Sequence, residues 1–317
     1  MGPAVAGALL SVSAVSQHSL AERIQRLKAE RRAVILAHNY QLGEVQDIAD
    51  FVGDSLELSR QAAAAEADVI VFCGVRFMAE TAKLLSPERI VLLPDPKAGC
   101  PLCDMAPVEK VRAWKAKYPG RPTVAYVNTT AAVKAEADIC CTSANAPRVV
   151  ASLEQEEILF LPDRNLGLWT QSVVPDKRLV IWDGFCSTHL KMTAADVRRA
   201  RREHPQAEII VHPECAPEVT ALADLVTSTG GMIRRAKETT ASQLVLGTEV
   251  GILHRLRKQH PDKEFFPLSR RAVCPNMKKI TEEKVLWSLE ELEPRIEVPA
   301  EVQGKARRAI ERMLAVG

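Results

Sequence analysis

The chain has 317 residues, 47% of them hydrophobic and 26% charged, with a formal net charge of +2. That balance fits a well-buried soluble protein of about two or three domains and excludes charge-driven docking on nucleic acid as its main business. No run approaches the eighteen or so apolar residues of a membrane span.

Residues 1–17, MGPAVAGALLSVSAVSQ, are small and apolar, and no Lys or Arg precedes Arg23. The basic region of a signal peptide is therefore missing, and this stretch is expected to be a loose tail on a cytoplasmic protein. Behind it the chain repeats. AVILAHNY (33–40) reads as a short buried strand ending in polar residues. A helical stretch follows, then the landmark ADFVGDS (49–55), an apolar run DVIVFCG (68–74), another run RIVLLPD (89–95), and Cys100.

The second copy runs TVAYVNTT (123–130), ADICCTS (137–143), EILFLPD (157–163), RLVIWDG (178–184) and Cys186. The third runs EIIVHPEC (208–215), ADLVTST (223–229), QLVLGTE (243–249), KEFFPLS (263–269) and Cys274. Between them, the basic run RRARRE (198–203) reads as a solvated helix face. Each landmark begins Ala-Asp and carries Ser or Thr six residues after the Ala. The distances from Ser55 to Cys100, Ser143 to Cys186 and Thr229 to Cys274 are 45, 43 and 45 residues, whereas Cys103 would make the first 48.

Short apolar runs alternating with helices predict βαβ units and parallel sheets. The expected fold is α/β: three αβα sandwich domains with small parallel sheets, related by pseudo-threefold symmetry around a central active site. The expected division is 18–104, 105–190 and 191–317, the last including the C-terminal helices. Ligands of such sheets bind beyond the carboxyl ends of strands. His38, Asn39, Tyr40, Asn128, His212 and Glu214 lie just past the first strands, and Ser55, Ser143, Ser228 and Thr229 just past the second.

Eight cysteines without a secretion signal predict free thiols or metal ligands. Cys73, Cys140 and Cys141, in or beside strands, read as buried inert thiols. Cys103 reads as a bystander, and Cys215, at the start of a unit, is discounted. One cysteine per repeat can hold zinc with an open fourth position, or three irons of a [4Fe–4S] cluster. Soft sulfur suits both, so a dehydrating iron–sulfur enzyme, a zinc lyase or hydrolase, and a non-catalytic iron–sulfur sensor all stay open. Ser55 and Ser143 can also be plain helix N-caps.

LAHNYQ (36–41), GDSLELS (53–59), GVRFMAETAK (74–83), YVNTTAAVKAEAD (126–138), TSANA (142–146), VHPEC (211–215), TSTGGM (227–232) and CPNMKK (274–279) together resemble the quinolinate synthase family across residues 20–315. The resemblance implies three α/β sandwiches around one site. It also implies an NAD-biosynthetic enzyme that condenses iminoaspartate with dihydroxyacetone phosphate to quinolinate, losing phosphate and two waters. It further implies a [4Fe–4S] cluster held by Cys100, Cys186 and Cys274, with one iron open as a Lewis acid.

Tyr40, His212 and Glu214 match proton-handling residues, and Tyr126 and Asn128 match residues that hold substrate carboxylates. His38, Ser55, Ser143, Ser228 and Thr229 match a substrate shell, partly on the phosphate side. His189, three residues after Cys186, is a weaker candidate beside the cluster. L-Aspartate oxidase, the source of iminoaspartate, is the implied functional partner. Some family members carry further cysteines just before the third ligand, whereas LSRRAVC (268–274) has none.

Overall fold

The computed structural model describes residues 19–316; the expected tail, 1–17, lies outside the described residues. The four apolar runs of each repeat become four strands. They are β1 (Ala33–His38), β2 (Phe51–Gly53), β3 (Val69–Cys73) and β4 (Ile90–Leu92), then β5 (Thr123–Tyr126), β6 (Ile139–Cys141), β7 (Glu157–Leu161) and β8 (Arg178–Ile181). The third set is β9 (Glu208–Val211), β10 (Leu225–Val226), β11 (Gln243–Gly247) and β12 (Glu264–Pro267). They form three separate sheets ordered β2-β1-β3-β4, β6-β5-β7-β8 and β10-β9-β11-β12. All pairings are parallel, as the alternation with helices predicts.

The three sheets share one register. Leu36 lies opposite Phe51, Val124 opposite Ile139 and Ile210 opposite Leu225. Between first and third strands, Ala33 meets Val69, Thr123 meets Leu159 and Glu208 meets Leu244. The common register makes His38, Tyr126 and His212 equivalent; Tyr40, Asn128 and Glu214 form a second equivalent set, and Ser55, Ser143 and Thr229 a third.

The Ala-Asp landmark has a physical reason. Asp50 accepts the Ile35 N–H at 2.8 Å, Asp138 the Thr123 N–H at 2.7 Å and Asp224 the Ile209 N–H at 2.7 Å. Each aspartate also returns its own N–H to the carbonyl of that same residue at 2.9 Å. The aspartate thus closes the start of the first-second strand pair, satisfying a backbone donor that the ladder leaves free.

Alternation along β9 separates two packed faces of the third sheet. Ile209 and Val211 join Met192, Val197 and Val245 on one, while Ile210 joins Met232, Leu246 and Leu256 on the other. The first two sheets share a continuous core, joined by the C-terminal helix Ala300–Val316. That helix packs on β6 and on the helices Ala131–Lys134 and Arg76–Leu85, burying Ala306, Ala309, Ile310 and Met313. The helix Glu282–Glu291 packs on the helix Leu20–Glu30. Among the described residues no helix is long and apolar enough to cross a membrane.

Candidate active site

The carboxyl ends of the three sheets face one cavity of about 110 Å³. The first unit brings His38, Tyr40, Ser55 and Cys100; the second brings Tyr126, Asn128, Ser143 and Cys186. The third brings His212, Glu214, Thr229 and Cys274. Asn39 does not line the cavity, and Ser228 stands behind its wall. It caps the helix Thr229–Glu238 by accepting the Gly231 N–H at 3.1 Å, and donates to Asp54 at 3.3 Å.

The alternative of Ser55 and Ser143 as N-caps is corrected by the structure. Asp54 caps the helix Ser55–Ala64, accepting the N–H groups of Leu56 and Glu57. In the second unit Asn145 stands at the cap position, and the Ser143 hydroxyl instead meets His212 Nε2 at 3.0 Å. The cap falls one or more residues away, which leaves both hydroxyls on the cavity.

Units meet around this cavity through polar side chains. Asn39 donates to Thr229 at 3.1 Å, Tyr40 meets Thr248 at 2.6 Å, and Asn165 donates to the Glu214 carbonyl at 3.1 Å. Gly230 permits the contact between first and third units, since a Cβ there would lie 2.5 Å from Asp54 Oδ2.

The cysteines divide into two groups. Cys73, Cys103, Cys140, Cys141 and Cys215 are buried; Cys100, Cys186 and Cys274 are partly exposed, and these three line the cavity. One tether sets them all. The backbone N–H that opens the helix after each third strand holds the carbonyl two residues before the cysteine. The pairs are Arg76 to Ala98 at 2.8 Å, Arg164 to Gly184 at 2.7 Å and Val250 to Ala272 at 3.0 Å. Cys103 has no place in this pattern; it lies inside the short helix Pro101–Asp104.

Burial pushes the Cys100 and Cys186 thiols up, and the nearby Glu214 adds to this at both. These groups are protonated without a metal, and a soft cation binds by displacing those protons. The donor set therefore fits a thiolate-bound metal centre.

A hydrogen-bonded chain runs beside it. His189, buried, places Nδ1 3.1 Å from Cys186 Sγ and 3.1 Å from Glu214 Oε2. Its Nε2 lies 3.0 Å from Thr248 Oγ1, which lies 2.6 Å from the Tyr40 hydroxyl. An Nδ1–H with an accepting Nε2 links Tyr40, Thr248, His189 and Glu214 Oε2 in one hydrogen-bonded line.

The turn after β1 recurs after β9: the Tyr40 N–H donates to His38 Nδ1 and the Glu214 N–H to His212 Nδ1. Accepting at Nδ1 leaves the neutral His38 ring its proton on Nε2, whereas His212 Nδ1 also lies 3.2 Å from Glu214 Oε2. Burial, helped by His212, lowers His38 to about 3, and burial also lowers His212. Burial pushes Glu214 up, but His189 and then His212 outweigh it and hold the carboxyl well below the usual carboxylate range. Burial and Glu214 together raise Tyr40 and Tyr126. Glu214 Oε1 and Asn128 Oδ1, both buried, have no hydrogen-bond partner among the described residues.

Sequence reasoning passed over Asp54, Asp163, Thr248 and Glu249 and underrated His189. Thr248 and Glu249 end the run QLVLGTE and Asp163 ends EILFLPD. Applying the strand-end rule to third strands as well as first would have found them.

Three parallel sheets with their carboxyl ends on one cavity, and one cavity-lining cysteine from each, define a three-unit α/β enzyme whose site is shared by all units. The model of the quinolinate synthetase A protein family matches residues 22–315, and the chain belongs to this family. It is similar to the quinolinate synthase of Dehalococcoides mccartyi, 54% identical over 297 residues that cover 94% of this chain and 98% of the relative. The Thermodesulfovibrio yellowstonii quinolinate synthase is 52% identical over 295 residues, covering 93% and 97%, and that of Methanoregula boonei 54% over 297, covering 94% and 98%.

Proposed function

We propose that this chain condenses iminoaspartate with dihydroxyacetone phosphate to quinolinate, releasing phosphate and two waters, with a [4Fe–4S] cluster on Cys100, Cys186 and Cys274. The observation that carries this reading is the meeting of three thiols, each following a different sheet, with the orphaned Glu214 Oε1 and Asn128 Oδ1 on one cavity. In this reading the three sandwich units span 18–104, 105–190 and 191–317. When bound, such a cluster supplies a Lewis acid for the loss of hydroxyl groups.

The chain's own residues divide the remaining work. Asn128 and Tyr126 offer an amide and a phenol to substrate carboxylates. Glu214, ionised and with one oxygen free, accepts a proton from a substrate carbon. Tyr40, held beside Thr248, donates a proton to a departing hydroxyl. His38 and His212, neutral, hydrogen-bond to substrate without adding charge. Ser55, Ser143 and Thr229 present hydroxyls beside helix starts, where a phosphate is favourably held, and Ser228 holds the third of these helices in place. L-Aspartate oxidase, as the source of iminoaspartate, is the functional partner in this reading.

A second reading rests on a different observation. Cys186, His189 and Glu214 bring one ligand atom each within 4.8 Å of one another, a spacing open to a single ion such as zinc. Anaerobic purification with metal analysis decides. About four irons with matching labile sulfide per chain, and quinolinate formed from the two substrates, are the expected results. A colourless zinc protein would overturn the cluster, and an iron-loaded protein that makes no quinolinate would overturn the reaction.

A further inference from the structure

Residues 75, 163 and 249 are equivalent in the shared register, but they are Val, Asp and Glu. Asp163 and Glu249 are both fully buried. Asp163 Oδ2 accepts the Cys186 N–H at 3.1 Å and Glu249 Oε1 accepts the Cys274 N–H at 3.1 Å. The second oxygen of each carboxylate accepts an N–H at the start of the following helix, from Leu166 at 2.8 Å and from Gly251 at 2.7 Å. Glu249 has a further partner, Lys278, at 3.1 Å.

Each carboxylate therefore joins a helix start to the amide of a cavity-lining cysteine. Val75 has no side chain that can do this. The Cys100 loop has the backbone tether common to all three units, the Asp95 carboxylate on the Lys97 N–H at 2.8 Å, and its own short helix, where the Cys100 carbonyl accepts the Asp104 N–H at 3.2 Å; among the described residues no carboxylate meets the Cys100 amide itself.

We propose that Asp163 and Glu249 are positioning residues for the metal centre, fixing the backbone of Cys186 and Cys274 while Cys100 is the one ligand left without such a brace. The inference rests on the thiolate-bound cluster proposed above. Occupying the two cysteine amides has a second effect: those N–H groups cannot turn toward the cluster sulfurs. Hydrogen bonds to sulfur are among the levers that set a cluster's potential, and added donors favour the reduced form. Braced amides thus withhold two donors from the cluster sulfurs and keep the potential lower than free amides would, which suits a centre that works as a Lewis acid without changing oxidation state.

The test compares wild type with Asp163→Ala, Asp163→Asn, Glu249→Ala and Glu249→Gln, all reconstituted anaerobically. Three things are measured: iron per chain, the rate of iron release to a chelator, and the midpoint potential followed by electron paramagnetic resonance. The Ala variants are expected to hold iron about 10–100-fold more weakly, the usual cost of removing a partner behind a metal ligand, and so to release it faster. Their potentials are expected to move to more positive values. Asn and Gln keep one acceptor oxygen and are expected to recover part of both effects. A general loss of stability would speed release without moving the potential, and loss of charge alone would move the Ala and the Asn or Gln variants equally, so partial recovery in Asn and Gln marks the brace and equal shifts overturn it. Should the Ala variants fail to fold by circular dichroism, the Asn and Gln variants must show the same changes in smaller measure. Iron-loaded Ala variants with wild-type release and potential would overturn this inference alone. Iron-free wild-type protein would overturn the cluster reading and this inference with it.

Discussion

Cys100 and Cys103 are three residues apart and have different surroundings. Cys100 follows the backbone tether at Ala98 and reaches the cavity, while Cys103 is 7% exposed within its helix. Replacing Cys100, Cys186 or Cys274 by Ala is expected to abolish iron binding, and Cys103→Ala to leave it intact. Iron assay after anaerobic reconstitution checks this, and loss of iron from Cys103→Ala with retention in Cys100→Ala would reverse the assignment. Glu214→Gln is expected to keep the metal and lose roughly 10²–10⁴-fold in kcat, the typical worth of a positioned acid or base. A turnover near wild type removes Glu214 from the proton transfers. The cavity cysteines were legible because one spacing recurs three times. His189 was legible only as a weaker candidate, since a histidine three residues after a cysteine has no repeat partner, and its weight comes from Thr248 and Glu214, which only folding brings beside it.

Among elements, the short second strands depend most on a single side chain. β10 has only Leu225 and Val226, and its approach to β9 is closed by Asp224 on the Ile209 amide. A hydrogen bond to a charged group contributes about 1.5–3 kcal/mol. Asp138→Ala, the equivalent change in the second unit, is expected to lower unfolding free energy by roughly that amount. Denaturant melts of the two proteins measure it, and an unchanged midpoint refutes the role. Asp224 also pairs with Arg201, so Asp138, with no ion pair among the described residues, is the cleaner site. The landmark Ala-Asp was visible in sequence as a recurrence. Its function as a clamp on the strand fifteen residues earlier was not, because neither composition nor periodicity states which donor a carboxylate meets. Cap positions shifted for a related reason: Asp54 and Ser228 compete with their hydroxyl neighbours for one helix start, and the backbone angle of the turn decides between them.

For the whole molecule, the buried neutral histidines set an acid limit. His38 titrates at about 3 in the fold against 6.5 when exposed, so between these values the unfolded chain binds more protons. Stability therefore rises with pH through this window and is fully present above 6.5. His38 alone accounts for about 1.4 kcal/mol per pH unit, or roughly 2 kcal/mol between pH 6.5 and 5. His212, lowered in the same direction, adds to the slope. Melting temperatures of metal-free protein are expected to fall over that range, and less steeply in His38→Gln. An identical slope in both proteins would exclude His38 as its source. The three-unit plan was legible because each unit repeats a pattern that local sequence can carry. The merging of the first two cores under the C-terminal helix was not, since the helix Ala300–Val316 has no counterpart in any repeat.

The shared strand register has an ancestral consequence. Three sheets whose pairings agree residue for residue are what tandem duplication of one segment of some 87 residues would leave. A single such segment exposes its strand ends and encloses nothing. Three identical copies assembled as a ring would enclose the same cavity, with three like cysteines and three like strand-end residues. Fusion of such copies would free each to drift separately, so that equivalent positions could come to hold His38, Tyr126 and His212, or Val75, Asp163 and Glu249. An asymmetric substrate requires an asymmetric pocket, and gene fusion is the step that lets a symmetric ring acquire one.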